Sequence, residues 1–138
     1  MIPQVVHKTP LILALTGVLM GCEPLETAEA VEQGAYEPSY LGIKTRLLEG
    51  DLVNFFVTMR GARDDADVAA YAQCAAVQYA LIRGYGFARH VRTQINEKNG
   101  LWSGDAVYTI SAALPQGLKT IDAEVGVTDC IENAIPRV

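Results

Sequence analysis

The chain has 138 residues and a formal net charge of −5 at pH 7, from 11 Lys and Arg against 16 Asp and Glu. An acidic chain of this kind lacks the basic surface patch of nucleic-acid-binding domains, so we expect no nucleic-acid partner. The length is enough for one domain with a hydrophobic core and too short for two.

The N-terminal segment has the pattern of a bacterial export signal. An uncharged run from Leu11 to Met20 follows Lys8 and leads to Cys22. A secretory signal combines a positive start, an apolar centre of about 7–15 residues and small residues before the cut. The sequence Leu-Met-Gly-Cys resembles the lipobox, in which the cysteine after the cut carries the lipid. We therefore expect residues 1–21 to be a lipoprotein signal peptide and Cys22 to be lipidated.

A membrane-spanning helix or a buried N-terminal helix is the alternative for this run. A spanning helix needs about 20 apolar residues, and Pro10 and Pro24 on either side oppose a longer helix. The lipoprotein resemblance implies that acyl chains anchor the protein to a membrane of the cell envelope, facing the periplasm. Enterobacterial lipoproteins with Asp after the lipidated cysteine stay in the inner membrane. Glu23 at this position therefore favours the outer membrane.

Residues 22–40 are predicted to form an acidic tether, since they hold five glutamates and no lysine or arginine. Such one-sided charge is typical of a solvated linker. Glutamate at every third position also fits a short helix, and Tyr36 and Tyr40 would allow part of the segment to fold onto the domain. We expect the domain itself to span residues 41–138.

The domain is predicted to begin with a hairpin. Apolar residues around 43–48 and from Leu52 to Met59 indicate two strands, and Glu49-Gly50-Asp51 provides the reversal between them.

A strong helix follows. Asp64 or Asp65 can cap its N-terminus, and Gly84 closes its C-terminus just after Arg83. Apolar residues recur on two adjacent faces, so the helix must be largely covered. Its many alanines imply close approach to the covering layer, most simply a sheet.

Two further strands are predicted around a turn-rich loop. In the third strand polar residues, among them His90 and Arg92, alternate with apolar ones, and residues 107–114 alternate in the fourth. Between them, Asn99-Gly100 and Ser103-Gly104 are turn signals. The clean alternation indicates that the helix packs on one sheet face and that the other face is mostly wet.

The tail after Pro115 has two interpretations. Residues 121–127 fit a fifth strand, whereas Thr128-Asp129 would cap a short helix. The whole is predicted to be an α+β domain. The predicted architecture is a ββαββ two-layer sandwich, with one long helix on an antiparallel sheet and a C-terminal strand or short helix.

The helix and the turn that ends it carry a family resemblance. Tyrosine and an Ala-Ala pair in the helix precede a Gly-Tyr-x-Phe turn into a strand: Tyr71, Ala75, Ala76, Gly84, Tyr85 and Phe87. In this the chain resembles the small bacterial lipoproteins of the CC0125/CC1285 type, and residues 122–125 are loosely similar to their closing segment. The resemblance implies an envelope lipoprotein of unassigned function, without catalytic residues to carry over.

Three cysteines constrain the redox state. With Cys22 lipidated, Cys74 and Cys130 remain as an even pair, which favours a disulfide in an oxidising compartment. Closing about 57 residues, the bond would contribute on the order of 4 kcal/mol by the chain-entropy argument. Two buried thiols are the alternative, because cysteine is often simply a small core residue.

The sequence gives little support for a catalytic role. His90 is the one histidine after the signal peptide, without the partners of a triad or a zinc site. A Cys74–His90 thiol enzyme would place its nucleophile in the middle of a helix, away from the N-terminus that lowers a thiol pKa. We predict no catalytic residues, no metal and no cofactor.

Two features are candidate interaction sites. Trp102 lies in the predicted Gly-rich loop, where an exposed tryptophan is a common interface anchor. Folding of Trp102 over the sheet edge is the alternative. The basic set Arg89, His90 and Arg92 is the second candidate, with a solvated strand face as its alternative. We expect a non-enzymatic accessory or binding module with an envelope protein partner. The alternative is a periplasmic enzyme acting on the cell wall or on thiols.

Overall fold

The computed structural model describes residues 35–114, 116 and 119–138. The predicted signal peptide, Cys22 and most of the predicted tether lie outside these residues. Seven elements follow one another in the described part: β1 (Ser39–Leu47), β2 (Leu52–Arg60), α1 (Asp65–Ile82), β3 (Phe87–Lys98), β4 (Leu101–Ser111), β5 (Thr120–Asp122) and α2 (Ala123–Glu132).

The five strands form one antiparallel sheet in the order β1-β2-β4-β3-β5. The helix α1, of 18 residues, packs across β2, β4 and β3, and α2 packs against α1 and β5. This is the predicted α+β arrangement, with a ββαββ core and helices on one side of the sheet. The face of the sheet away from α1 is called the outer face below.

Both ends of α1 are set by local sequence, as predicted. The side chain of Asp64 accepts a hydrogen bond from the backbone N–H of Ala66 at 2.9 Å, which satisfies one of the free donors of the first turn. At the other end, Gly84 adopts φ 79°, and the N–H of Tyr85 donates to the carbonyl of Ala80 at 2.8 Å. Glycine suits this left-handed closing position.

The tail contains both a strand and a helix. β5 is short, and its last residue, Asp122, caps α2 by accepting hydrogen bonds from the N–H groups of Glu124 and Val125. The predicted cap at Thr128-Asp129 is wrong, because these two residues lie inside α2. There the hydroxyl of Thr128 donates to the carbonyl of Glu124 one turn earlier.

The core lies between the sheet and α1. Phe55 and Tyr71, both almost fully buried, are among its largest side chains, and Phe55 makes edge-on contacts with the rings of Tyr79 and Tyr108. α2 packs against α1 beside Val77, so part of the second apolar face is covered, whereas Ile82 at the end of the helix is 60% exposed. On this side Cys74 and Cys130, each 4% exposed, form the predicted disulfide between the two helices.

The turn between β3 and β4 is shorter than predicted. Asn99 and Gly100 alone connect the strands, with φ angles of 52° and 78°, as the two-residue hairpin of this sequence requires. The second predicted turn, Ser103-Gly104, is wrong, because both residues lie within β4. Trp102 therefore occupies a strand rather than a loop. It is half-buried and packs against the core.

At Gly104, α1 approaches the sheet closely. A Cβ atom there would lie 2.9 Å from Cγ1 of Val68 in α1 and 3.1 Å from Cγ2 of Val57 in β2. The glycine therefore serves packing between the layers rather than a turn.

Gly104→Ala is accordingly expected to lower the free energy of unfolding by about 1–3 kcal/mol, the usual cost of overpacking. Gly86→Ala is the matched control, because a Cβ at Gly86 meets nothing within 4 Å. It should change the free energy of unfolding by less than about 0.5 kcal/mol. Urea unfolding of both variants measures the difference, and equal losses would contradict this account of Gly104.

A β-bulge in β3 changes the predicted strand faces. Ala88 and His90 pair with Ile110 and Tyr108, whereas Arg92, after the bulge, pairs with Val107. Val91 is the extra residue and is 45% exposed. His90 was predicted on the polar strand face with Arg92, and this is wrong. The extra residue puts His90 on the helix side and Arg92 on the outer face.

The segment before β1 packs onto the domain. β1 begins at Ser39, so the last two residues of the predicted tether belong to the sheet. The ring of Tyr36 lies 3.9 Å from the Arg63 guanidinium, and Arg63 binds the carboxylate of Asp67 through two nitrogen atoms. Burial, followed by the neighbouring Tyr40 hydroxyl, raises the pKa of Tyr36 to about 12. These contacts agree with the predicted alternative in which part of the tether folds back.

Candidate functional site

A groove of about 590 Å³ lies on the outer face and crosses β1, β2, β4 and β3. We call it the outer groove. Because successive side chains of a strand alternate between faces, its floor is built from every second residue of each strand. The side chains on this floor are Lys44, Phe56, Thr58, Gln94, Asn96, Ser103 and Asp105.

The middle of the outer groove combines one aromatic ring, flanked by the charged Lys44 and Asp105, with neutral polar groups. Phe56 is 37% exposed, although the neighbouring residue, Phe55, is fully buried on the helix side. Thr58 and Ser103 face each other across β2 and β4, and Asn96 pairs with Ser103 from β3. The floor therefore offers an apolar surface together with hydroxyl and amide groups that both donate and accept hydrogen bonds.

One end of the groove is bounded by a row across the four strands. We call it the arginine row. Strand register places its members side by side: Arg46, Asn54, Val107 and Arg92. The two central side chains are buried, and the two arginines stand at its ends. Both arginines extend toward the groove. The Arg46 guanidinium lies 5.8 Å from the centre of the Phe56 ring, and Nη1 of Arg92 lies 3.5 Å from Oδ1 of Asp105.

Asn54 in this row is the unusual member. It is a polar side chain with only 1% exposure on a face that is otherwise mostly wet. Its Nδ2 donates to Oδ1 of Asp105 at 2.6 Å and to the carbonyl of Ala106 at 3.1 Å. Its Oδ1 accepts no hydrogen bond from any residue that the structure describes. An unused buried acceptor of this kind is costly.

The opposite end of the groove is also basic. Arg60, Leu101 and Lys98 lie side by side there, next to the Asn99–Gly100 turn, and we call them the turn-side row. Nη1 of Arg60 donates to the carbonyl of Asn99 at 3.3 Å. Including Arg89 beyond the arginine row, the outer face holds six of the 11 Lys and Arg residues of an acidic chain.

The structure separates the four predicted interaction residues. Arg89 and Arg92 lie on the outer face, and Arg92 borders the groove. His90 points to the helix side, and Trp102 is half-buried against the core. The basic set therefore does not form one cluster, and Trp102 packs against the core from within the central strand β4 rather than folding over the sheet edge.

His90 borders a smaller cavity of about 350 Å³ between α1 and the sheet. Its Nε2 lies 2.7 Å from Oγ1 of Thr93, and its ring packs edge-on against Tyr108. Burial, with a smaller contribution from the charge of Lys119, lowers the pKa of His90 below its ordinary value. Cys74, the other residue of the thiol-enzyme alternative, is in the disulfide and has no free thiol here.

This pKa shift predicts a dependence of stability on pH. Because the pKa in the folded protein lies below the model-peptide value of 6.5, the unfolded chain binds a proton first as the pH falls. Stability is therefore unaffected above about pH 6.5 and decreases from there down to the folded pKa. In an NMR titration of the imidazole, Lys119→Met should raise the pKa of His90, while Lys98→Met, on the outer face, should not. Equal shifts in both variants would exclude the contribution of Lys119.

Two absences hold for the described residues 35–114, 116 and 119–138. Within them, no three His, Cys, Asp or Glu side chains come together in a metal-binding arrangement. Among the same residues, no helix has the length and apolar character needed to cross a membrane.

The outer groove itself was missed by the sequence analysis. Its signal was present in β2, where Asn54, Phe56 and Thr58 alternate with buried apolar residues. The mostly wet face was predicted from the third and fourth strands, as found. The sequence did not show that β4 would lie between β2 and β3, which is what brings the two basic rows to opposite ends of one surface.

Comparisons with known proteins assign the chain to a family. A family model described as the YNQ4 C-terminal domain matches residues 40–134. A Paracoccus denitrificans protein named "Uncharacterized 26.9 kDa protein in nqo8 5'region" is 33% identical over 85 residues. The match covers 62% of this chain and 33% of that protein, so the chain spans about a third of the length of the curated relative it matches. No solved structure matches the chain.

Proposed function

This chain belongs to the YNQ4 C-terminal domain family, and we propose that it is a lipid-anchored cell-envelope protein whose α+β domain binds a ligand in the outer groove. One observation carries the proposal: the sheet face left uncovered by the helices holds the largest of the cavities described above. A concave site with a small number of placed polar groups around an apolar surface is the usual form of a ligand site.

The groove residues support binding rather than catalysis. Asp105 is the one carboxylate on the groove floor among the described residues, and it is engaged by Asn54 and Arg92. General acid–base catalysis needs a group that is free to exchange a proton with the substrate. A carboxylate held by two partners is better suited to orient a hydrogen-bonding ligand.

The lipid anchor rests on the sequence at positions 11–22. In the bacterium that makes the protein, the wild-type chain is expected in the membrane fraction, with the mass of residues 22–138 plus acyl chains. Cys22→Ala should remove the acyl mass and leave the signal peptide uncleaved, because lipidation precedes cleavage in this class. A wild-type protein without acyl chains would contradict the proposed lipid anchor. It would not bear on the proposed binding of a ligand in the outer groove.

Photo-cross-linking tests the binding role of the outer groove directly. The photoreactive residue benzoylphenylalanine replaces Phe56 in the full chain, and in a control it replaces Val125. Val125 is 59% exposed on α2, on the other side of the domain. Irradiation of living cells should give a cross-linked species of raised mass from position 56 and none from position 125. No product from position 56, or the same product from both positions, would refute binding in the groove.

A further inference from the structure

We propose that the outer groove takes an anionic oligosaccharide, whose acidic substituents meet the two basic rows and whose hydroxyl groups meet the floor between them. This inference rests on the proposed function. It adds the chemical class of the ligand, which neither the family nor the fold supplies.

The positive charges at both ends of the groove favour an extended anionic ligand. Asn54 in the arginine row and Arg60 in the turn-side row are six residues apart on β2. At about 3.4 Å per residue, this spacing separates the two rows by roughly 20 Å. Arg46 and Arg92 stand at one end, and Arg60 and Lys98 stand at the other. A single small anion meets only one row, whereas a linear ligand with several acidic groups meets both.

The groove floor between the arginine row and the turn-side row favours a ligand that carries hydrogen-bond donors. The carboxylate oxygens of Asp105 on this floor are acceptors. Bare carboxylate or phosphate groups cannot donate to them. Sugar hydroxyls both donate and accept, and the carbon face of a sugar ring can lie on the exposed part of Phe56. An acidic sugar chain therefore matches the cations and the acceptors together.

Two other anionic partners fit less well. A lipid bilayer presents a broad surface, whereas the polar floor is recessed in a groove bounded by β1 and β3. An acidic peptide supplies carboxylates at both ends, but its carboxylate side chains offer no donors to Asp105. Its backbone N–H groups are the remaining donors, and extended peptides use them mainly along the edge of a sheet.

Calorimetric titration of the detergent-solubilised full chain tests this assignment. The probe is tetragalacturonate, and maltotetraose, tetraglutamate and phosphatidylglycerol vesicles are compared with it at the same ionic strength. Tetragalacturonate should bind, and maltotetraose should bind at least tenfold more weakly. Arg46→Gln and Lys98→Gln, one at each end of the groove, should each weaken binding roughly tenfold, the usual effect of losing a charge-assisted hydrogen bond.

Arg83→Gln is the matched control, because Arg83 is exposed at the C-terminal end of α1 and points away from the groove. It should leave the affinity unchanged. Equal or tighter binding of tetraglutamate, or of the vesicles, would overturn the sugar assignment in favour of that partner. Absence of tetragalacturonate binding would overturn it as well. If the cross-link from position 56 persists in that case, the groove remains a binding site and only the ligand class is wrong; if both fail, the proposed function fails too.

Discussion

Replacing Cys130 by alanine is expected to lower the free energy of unfolding by about 4 kcal/mol. The disulfide joins residues 56 positions apart and therefore restricts a large loop in the unfolded chain. It also fixes α2 onto α1 where Gly126 brings the helices close, since a Cβ at Gly126 would lie 2.8 Å from Cγ1 of Val77. Without the bond, the short α2 depends on this contact and on its cap at Asp122.

Urea unfolding with and without dithiothreitol measures this effect. Reduction should destabilise the wild type about as much as Cys130→Ala does, and it should leave the variant unchanged. Because a newly unpaired Cys74 can form mixed disulfides, Cys74→Ala/Cys130→Ala is the control for such side reactions. A loss below about 1 kcal/mol in all three cases would show that the bond is not a main source of stability.

Phe55→Ala is expected to lower the free energy of unfolding by about 3–5 kcal/mol, the range observed when a buried phenylalanine is truncated. Phe55 is fully buried and contacts the rings of Tyr79 and Tyr108, so its removal leaves a cavity that these rings fill only in part. Phe56→Ala is a control of the same chemistry one residue away. It should cost about 1 kcal/mol or less, since Phe56 faces the outer groove and is 37% exposed.

The two variants also separate stability from binding. Chemical denaturation followed by circular dichroism gives the stability difference, and calorimetric titration with tetragalacturonate gives the affinity. Phe56→Ala should weaken binding while the domain stays folded. Comparable destabilisation by the two variants would mean that the faces of β2 are assigned wrongly.

The features predicted correctly from sequence depend on local chemistry. Asp64 and Gly84 delimit α1 because a cap needs only its own residue and the adjacent turn. Cys74 and Cys130 were paired from their number and the expected compartment. The overall α+β order followed from periodicity within each segment.

The errors arise where distant residues decide the structure. Gly104 has the composition of a turn, but Val68 requires a glycine there for helix packing. The bulge at Val91 adds one residue to a strand, and a shift of one residue moves every later side chain to the other face. His90 was misplaced for this reason. The outer groove depends on the sheet order, which no single segment encodes.

If Cys22 is lipidated as proposed, the contact between Tyr36 and Arg63 also sets how far the domain can lie from the membrane. Only the 14 residues from Cys22 to Tyr36 would then connect the lipid to the domain. A fully extended chain of that length reaches about 50 Å. With this anchor the groove would stay close to the bilayer, where tethering would raise its effective concentration toward anything fixed to the same surface. Millimolar intrinsic affinity would then be enough for sustained occupancy.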